Sequence, residues 1–183
     1  MGRPNVGKST LFNSIVGKKR ALVSNIAGVT RDYKEERVHI NGCNITLIDT
    51  AGLCTRVLTN QEKRLNFYTD KVIDQLDIIL FVFDSREGFT FEDESLFSKF
   101  RKLNKPLIIL INKVENKKIK EKISYEAHKF GKLVQLLISA EHRIGISDVK
   151  DKISEIIISK HLYKECDDEF ENSEKPINIA VIG

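Results

Sequence analysis

Apolar residues along the chain fall either in short continuous runs or at helical spacing. Continuous runs at 78–83 and 107–111 have the length of buried strands, and the mostly apolar residues 133–138 predict a further strand. Between 146 and 157, isoleucine and valine recur every three or four positions, as on one face of an amphipathic helix. Strands that alternate with helices in this way predict an α/β fold, with a mostly parallel central sheet and helices on both faces.

One part of the pattern predicts an antiparallel pair. Residues 33–40 alternate between apolar and polar side chains, as a half-buried strand does. Asn41-Gly42 follows and favours a two-residue hairpin turn, after which residues 43–48 return as a second strand. We expect this hairpin to be the single antiparallel pair of the sheet.

Composition adds little to this picture. The 183 residues suit one domain of ordinary size, with 41% hydrophobic and 31% charged residues. The longest apolar runs are too short to cross a membrane, and the three cysteines lack metal-ligand spacing. These features favour a cytoplasmic protein that does not contact a membrane. The net charge of +4 is compatible with RNA contact, although a solvated helix face is the commoner explanation for most of the lysines.

Residues 2–9 read Gly-Arg-Pro-Asn-Val-Gly-Lys-Ser and match the phosphate-binding pattern G-x-x-x-x-G-K-[ST]. A helical pattern at 10–16 follows, so the loop would lie at a helix N-terminus, where backbone N–H groups and the helix dipole favour phosphate. Lys8 can reach the β- and γ-phosphates, and Ser9 can bind Mg²⁺. A glycine-rich turn before a helix is the structural alternative. The residues predicted to bind phosphate are Asn5, Val6, Gly7, Lys8, Ser9 and Thr10.

Two further segments suit a phosphate and metal site. Asp49 follows a predicted strand and can hold Mg²⁺ through water, and Gly52, three residues later, can offer its N–H to a γ-phosphate. Thr30 lies in an irregular loop and can place its hydroxyl on Mg²⁺ when a γ-phosphate is present. Alone, the Asp49–Gly52 pattern is more often an ordinary turn than a binding site, and the Thr30 segment is equally compatible with a flexible polar loop.

Two segments after later strands suit a purine base. Asn112 can bond a purine edge, the Lys113 stem can cover the ring, and Glu115 can accept from the two adjacent donors of guanine. Adenine lacks that donor pair, which disfavours the alternative of an ATPase with the same fold. Backbone N–H groups of residues 139–141 (Ser-Ala-Glu) could meet the guanine carbonyl oxygen.

Together the five segments resemble the G motifs of translation-factor-class GTPases. The amino-acid sequence of residues 2–13, 28–32 and 139–142 is most similar to the first G domain of the bacterial double-GTPase family Der (EngA). The resemblance implies a P-loop NTPase fold of the Ras-like G-domain type that binds GTP or GDP with Mg²⁺ and hydrolyses GTP. It also implies a role in assembly of the large ribosomal subunit, with rRNA and ribosomal protein as partners.

The resemblance also implies roles for individual residues. The implied catalytic residues are Asn5, Lys8, Thr30 and Gly52; the implied metal ligands are Ser9, Thr30 and Asp49. The implied nucleotide-binding residues are Asn5, Val6, Gly7, Lys8, Ser9, Thr10, Asp49, Gly52, Asn112, Lys113, Glu115, Ser139, Ala140 and Glu141.

Three positions qualify that assignment. Glu115 stands where the family pattern has Asp, and Leu53 stands where Ras-like enzymes place a water-orienting Gln. Slow hydrolysis is therefore expected. Asn5 resembles the asparagine that in related GTPases helps to bind a stimulating K⁺ ion. The alternative function is a nucleotide-binding interaction module with negligible hydrolysis.

The predicted domain organisation is unusual. Residues 1–163 form a G domain without its own first strand, and residues 164–176 are an acidic linker. Residues 177–183 read Ile-Asn-Ile-Ala-Val-Ile-Gly, like the strand that leads into the phosphate loop of a second, truncated G domain. An empty central strand position would expose unpaired backbone groups. We therefore expect residues 177–182 to fill it, either in cis as a monomer or from another copy as a strand-swapped oligomer.

Overall fold

The computed structural model of the chain describes residues 5–17, 34–49, 74–115, 128–162 and 176–183. The predictions for Thr30, Gly52 and Leu53 lie outside these residues, as does almost all of the predicted linker.

The strands are β1 (Lys34–Ile40), β2 (Cys43–Asp49), β3 (Ile78–Asp84), β4 (Leu107–Asn112), β5 (Val134–Leu137) and β6 (Ile177–Ile182). They form a six-stranded sheet with the order β1-β2-β6-β3-β4-β5. β1 and β2 are antiparallel, and the other neighbours are parallel, as predicted. The sheet is therefore mostly parallel, which requires both of its faces to be covered.

The hairpin between β1 and β2 turns at Asn41 and Gly42, as expected. Both residues have positive φ, 46° and 87°. Tight two-residue hairpins favour this backbone conformation because its twist matches that of the strands, and Asn and Gly adopt it at low cost. The register of the pair, Ile40 opposite Cys43, follows from the short turn.

The last strand of the chain lies in the centre of the sheet. β6 pairs in parallel with β2, where Ile45 is opposite Ile177, and with β3, where Ile78 is opposite Ile179. Its residues are buried except for the half-buried Asn178, whose N–H donates to the Asp77 carboxylate at 2.8 Å. Within this single chain, β6 thus supplies a central strand in cis.

Helices cover both faces of the sheet. They are α1 (Lys8–Val16), α2 (Phe91–Arg101) and α3 (Ile146–Ser159), with a short 3₁₀ turn at His128–Phe130. Even-numbered apolar residues of β3 pack into the core that α1 and α3 share, and odd-numbered ones pack into the core on the α2 side. None of the helices in the described parts of the chain is long and apolar enough to cross a membrane.

Two central strands extend one residue further than the apolar runs predict. β3 ends at Asp84 and β4 ends at Asn112, and these two polar residues are opposite each other in the ladder. Both are buried. A boundary drawn at the last apolar residue misses this final pair because strand pairing continues into the polar edge of the sheet.

Candidate functional site

The carboxyl ends of the parallel strands meet at one edge of the sheet, which is where open α/β sheets bind ligands. The loop before α1 lies at this edge, and so do the end of β2 at Asp49 and the segments that follow β3, β4 and β5. Most of the residues predicted from the sequence to form the site are therefore neighbours in space.

Residues 5–7, which precede α1 and belong to the predicted phosphate-binding segment, are called the phosphate-type loop. The conformation of this loop depends on the absence of a side chain at Gly7. Gly7 is the N-cap of α1 and has φ 97°. A Cβ atom at this position would also collide with the side-chain amide of Asn112. The first turn of α1 contains no acidic residue, and its first N–H groups have no acceptors within the helix. This end of the helix is thus suited to an anion.

Lys8 is held by the other end of the chain. Its ammonium group donates to the carbonyl oxygen of Gly183 at 2.7 Å, and Lys8 is only 5% exposed. Gly183 follows β6 directly and lies so close to β3 that a Cβ atom would collide with the Val82 carbonyl. The position of the lysine is therefore set by the residue after the central strand.

The side chains of Ser9 and Asp49 form a hydrogen bond beside the loop. The Ser9 hydroxyl donates to Asp49 Oδ2 at 2.7 Å, and Asp49 is buried at the end of β2. Hydroxyl and carboxylate oxygens are the ligands that Mg²⁺ prefers. These two predicted metal ligands fit a Mg²⁺ ion next to a bound phosphate.

Asn112 joins the phosphate-type loop to the loop after β5. Its Nδ2 donates to the Val6 carbonyl at 2.8 Å, and its Oδ1 accepts from the Ala140 N–H at 3.0 Å. The residue is 2% exposed. After these two bonds the amide still has one N–H and one oxygen lone pair for a ligand.

Lys113 lies against the same loop from the outside. Its ammonium group donates to the Asn5 carbonyl at 2.7 Å and pairs with Asp84 Oδ2 at 2.6 Å. The backbone of Lys113 has φ 66°, a conformation uncommon for a residue with a long side chain. The two contacts fix the stem that the sequence predicts to cover a purine ring.

Glu115 points towards the side chains of Arg86 and His142. Arg86 donates to its Oε2 at 2.8 Å, and His142 Nε2 lies 3.7 Å from its Oε1. Side-chain atoms of Glu115, Glu141 and His142 that could coordinate a metal ion also lie within 4.8 Å of one another. All three residues are exposed, and exposed acidic groups of this kind commonly hold no metal, so we assign no ion to them.

The loop after β5 closes on itself. Ser139 and Ile144 exchange two backbone hydrogen bonds of 3.0 Å. The Ser139 hydroxyl is buried and has no hydrogen-bond partner among the described residues. Because buried polar groups are nearly always bonded, this hydroxyl is available to a ligand or water at the site. The Ala140 N–H, which the sequence predicts to meet a guanine carbonyl oxygen, donates to Asn112 Oδ1.

Sequence reasoning missed three residues at the end of β3. The Ser85 N–H donates to the Asn112 carbonyl at 2.9 Å. Asp84 pairs with Lys113, and Arg86 pairs with Glu115. The signal was present in Asp84, a carboxylate directly after a buried apolar run, as Asp49 is at the end of β2.

The structure thus brings together residues 5–10, 49, 112–115 and 139–141 at one edge of the sheet. Thr30 and Gly52 lie outside the described residues, so their predicted roles stay predictions.

Comparisons with known proteins agree with this arrangement. Residues 1–113 match the family model described as 50S ribosome-binding GTPase. GTPase Der of Azorhizobium caulinodans is 40% identical over 187 residues, which cover all of this chain and 41% of that protein. GTPase Der of Bartonella bacilliformis is 43% identical over 157 residues, which cover 86% of this chain and 33% of that protein.

Solved structures show the same fold. The G domain of the T. maritima iron transporter FeoB superposes with a TM-score of 0.63 at 27% identity, covering 85% of this chain and 94% of that domain. The elongation factor SelB of Methanococcus maripaludis, in complex with a GTP analogue, gives a TM-score of 0.62 at 18% identity. That alignment covers 96% of this chain and 35% of SelB, and it supports the fold alone.

The α/β fold of the P-loop GTPase type predicted from the sequence is confirmed. The resemblance to the first G domain of Der is confirmed as well, although the chain spans only 41% of the length of a relative such as the Azorhizobium protein. On the match of its first 113 residues, the chain belongs to the family of 50S ribosome-binding GTPases.

Proposed function

We propose that the chain binds GTP and GDP with Mg²⁺ and hydrolyses GTP slowly, as a switch domain. The observation that carries this proposal is the double contact of Asn112. One buried side chain ties the phosphate-type loop at Val6 to the loop at Ala140, so the phosphate and base halves of the site are held in one geometry.

The phosphate half would act through charge and hydrogen bonding. The Lys8 ammonium lies at the N-terminus of α1, where the helix dipole already favours an anion. Ser9 and Asp49 would hold Mg²⁺, and when bound this ion neutralises phosphate charge. Lys8 and the Mg²⁺ ligands would thus lower the electrostatic free energy of a triphosphate at the N-terminus of α1.

The base half would select guanine. The free N–H of Asn112 and the Lys113 stem would hold the purine ring, and Glu115 would accept from the guanine N1 and 2-amino groups. Glu115 has the two carboxylate oxygens that this requires, and His142 lies beyond hydrogen-bonding distance of one of them, at 3.7 Å.

Slow hydrolysis follows from the residues available. Leu53 can neither orient a water molecule nor act as a base, so stabilisation of the transition state would depend on Lys8, Thr30, Gly52 and Asn5. We propose that Asn5 contributes to a K⁺ site. Asn5 is exposed at the loop, and its own carbonyl oxygen is the one that accepts from Lys113.

The proposed partner of the switch is the large ribosomal subunit, through rRNA and ribosomal protein in the cytoplasm. The family description and the similarity to GTPase Der support this partner. The loops at Thr30 and Gly52 would be ordered by GTP and released after hydrolysis, and the partner would detect the difference.

We also propose a division of the chain. Residues 1–163 would be the G domain, residues 164–176 a linker, and residues 177–183 a segment of second-domain sequence. The pairing of β6 with both β2 and β3 supports a role for residues 177–183 within the sheet of the G domain.

Nucleotide competition and single-turnover kinetics test the proposal. Labelled GTP should bind in the presence of Mg²⁺, unlabelled GDP should displace it, and a large excess of ATP should not. A single-turnover reaction should release phosphate slowly. Displacement by ATP at similar concentration would contradict guanine selectivity, and tight binding without phosphate release would instead favour a nucleotide-binding interaction module.

A further inference from the structure

Three consecutive residues after β3 contact three residues of the predicted base-reading segment. Asp84 binds the side chain of Lys113, the Ser85 N–H binds the Asn112 carbonyl, and Arg86 binds Glu115. We propose that Arg86 is a positioning residue for guanine selectivity, which it exerts by orienting the Glu115 carboxylate. This inference rests on the proposed function of the same site.

The need for such a residue follows from the length of glutamate. Glu has one more rotatable bond than Asp, so a free Glu115 would lose more conformational freedom when it binds a base. The 2.8 Å bond from Arg86 to Oε2 restricts this carboxylate before a nucleotide arrives. Pre-ordering of this kind lowers the entropic cost of binding.

Arg86 leaves the carboxylate able to accept from guanine. Each carboxylate oxygen can accept two hydrogen bonds, and Arg86 occupies one position on Oε2. The other oxygen, Oε1, lies 3.7 Å from His142, too far for a hydrogen bond. Each oxygen of the carboxylate therefore keeps at least one acceptor position. The two adjacent donors of guanine need one position on each oxygen.

The backbone of Arg86 is held by Asp84, the last residue of β3. Its backbone N–H donates to Asp84 Oδ1 at 2.9 Å, while Asp84 Oδ2 pairs with Lys113. Asp84 is buried at the end of β3, opposite Asn112 in the ladder. The guanidinium thus starts from a fixed backbone, although its side chain is 53% exposed.

The test compares GDP with IDP, which lacks the 2-amino group, by calorimetric titration of the full chain. The wild type should prefer GDP. Arg86→Ala should reduce that preference about threefold to fivefold, in line with the small contribution of exposed ion pairs. Arg86→Lys, which keeps the positive charge on a single nitrogen but loses the planar guanidinium, should recover part of the preference. Arg101→Ala removes an arginine at the end of α2, near the opposite edge of the sheet, and should leave the GDP to IDP ratio unchanged.

A second comparison isolates the route through Glu115. In a Glu115→Ala background, Arg86→Ala should leave the GDP to IDP ratio unchanged. A change in that background, or an unchanged or increased ratio in the single Arg86→Ala variant, would overturn the inference. Failure of the wild type to bind either nucleotide would refute the proposed function itself, and thermal unfolding of each variant would identify loss of the fold.

Discussion

The Asn112 side chain donates a hydrogen bond of 2.8 Å to the carbonyl oxygen of Val6, although the two residues lie far apart in the chain. The same side chain accepts from the Ala140 N–H, and all three residues are buried. A contact of this kind makes the shape of the phosphate-type loop depend on the end of β4. Changes at Asn112 should therefore alter stability even without nucleotide.

Asn112→Ala should lower the free energy of unfolding by about 2–4 kcal/mol, because it leaves a buried carbonyl and a buried N–H without partners. Urea unfolding of the nucleotide-free protein measures this. Asn44→Ala is the matched control, since Asn44 is exposed and, within the described residues, its side chain bonds to the exposed His39 at the edge of the hairpin, and it should change stability by less than about 0.5 kcal/mol. Equal effects of the two variants would contradict the structural role of Asn112.

Gly7→Ala should lower the free energy of unfolding more than an alanine substitution at another glycine with positive φ. Gly131 has φ 61° and open space around it, so Gly131→Ala reports the backbone cost alone, about 1 kcal/mol. At Gly7 the new Cβ would also displace the Asn112 amide, which should add about 1–3 kcal/mol. Denaturant titration of both variants gives the difference, and a difference near zero would show that the loop can move aside.

Ile179→Ala tests the importance of β6 for the fold. Ile179 is fully buried between the neighbouring strands, so its truncation should cost about 2–5 kcal/mol. Ile158 on α3 is 64% exposed, and Ile158→Ala should change stability by less than about 0.5 kcal/mol. If both variants unfold at the wild-type denaturant concentration, β6 does not lie in the sheet in solution.

GTP hydrolysis should be at least about tenfold faster in K⁺ than in Na⁺ at equal ionic strength, if a bound cation stabilises transition-state charge. Asn5→Gly should remove this advantage. Glycine is the appropriate replacement because Asn5 has φ 67°. Asn104→Gly, at another exposed asparagine with positive φ, should keep the full K⁺ advantage. Equal rates of the wild type in both salts would exclude the proposed role of Asn5.

Much of the fold could be predicted because it depends on local patterns. The Asn41-Gly42 turn, the single antiparallel pair and the buried β3 and β4 all follow from the period of apolar residues and from turn chemistry. The roles of the individual site residues stay predictions, even where the structure places them together.

Contacts that depend on strand register could not be predicted. Arg86 meets Glu115 because Asp84 and Asn112 are opposite each other in the ladder, and no local pattern fixes that pairing. The bond between Lys8 and Gly183 is a second example, since it joins segments from opposite ends of the chain. In both cases the apolar pattern identifies the strands without showing which of their terminal residues meet.

The central position of β6 also constrains the order in which the chain can fold. β2 and β3 are each paired with β6, so the middle of the sheet cannot assemble until residues 177–182 are present. Pairings between residues so distant in sequence form slowly. We therefore expect the joining of β6 to β2 and β3 to be a slow step when this chain is refolded from denaturant.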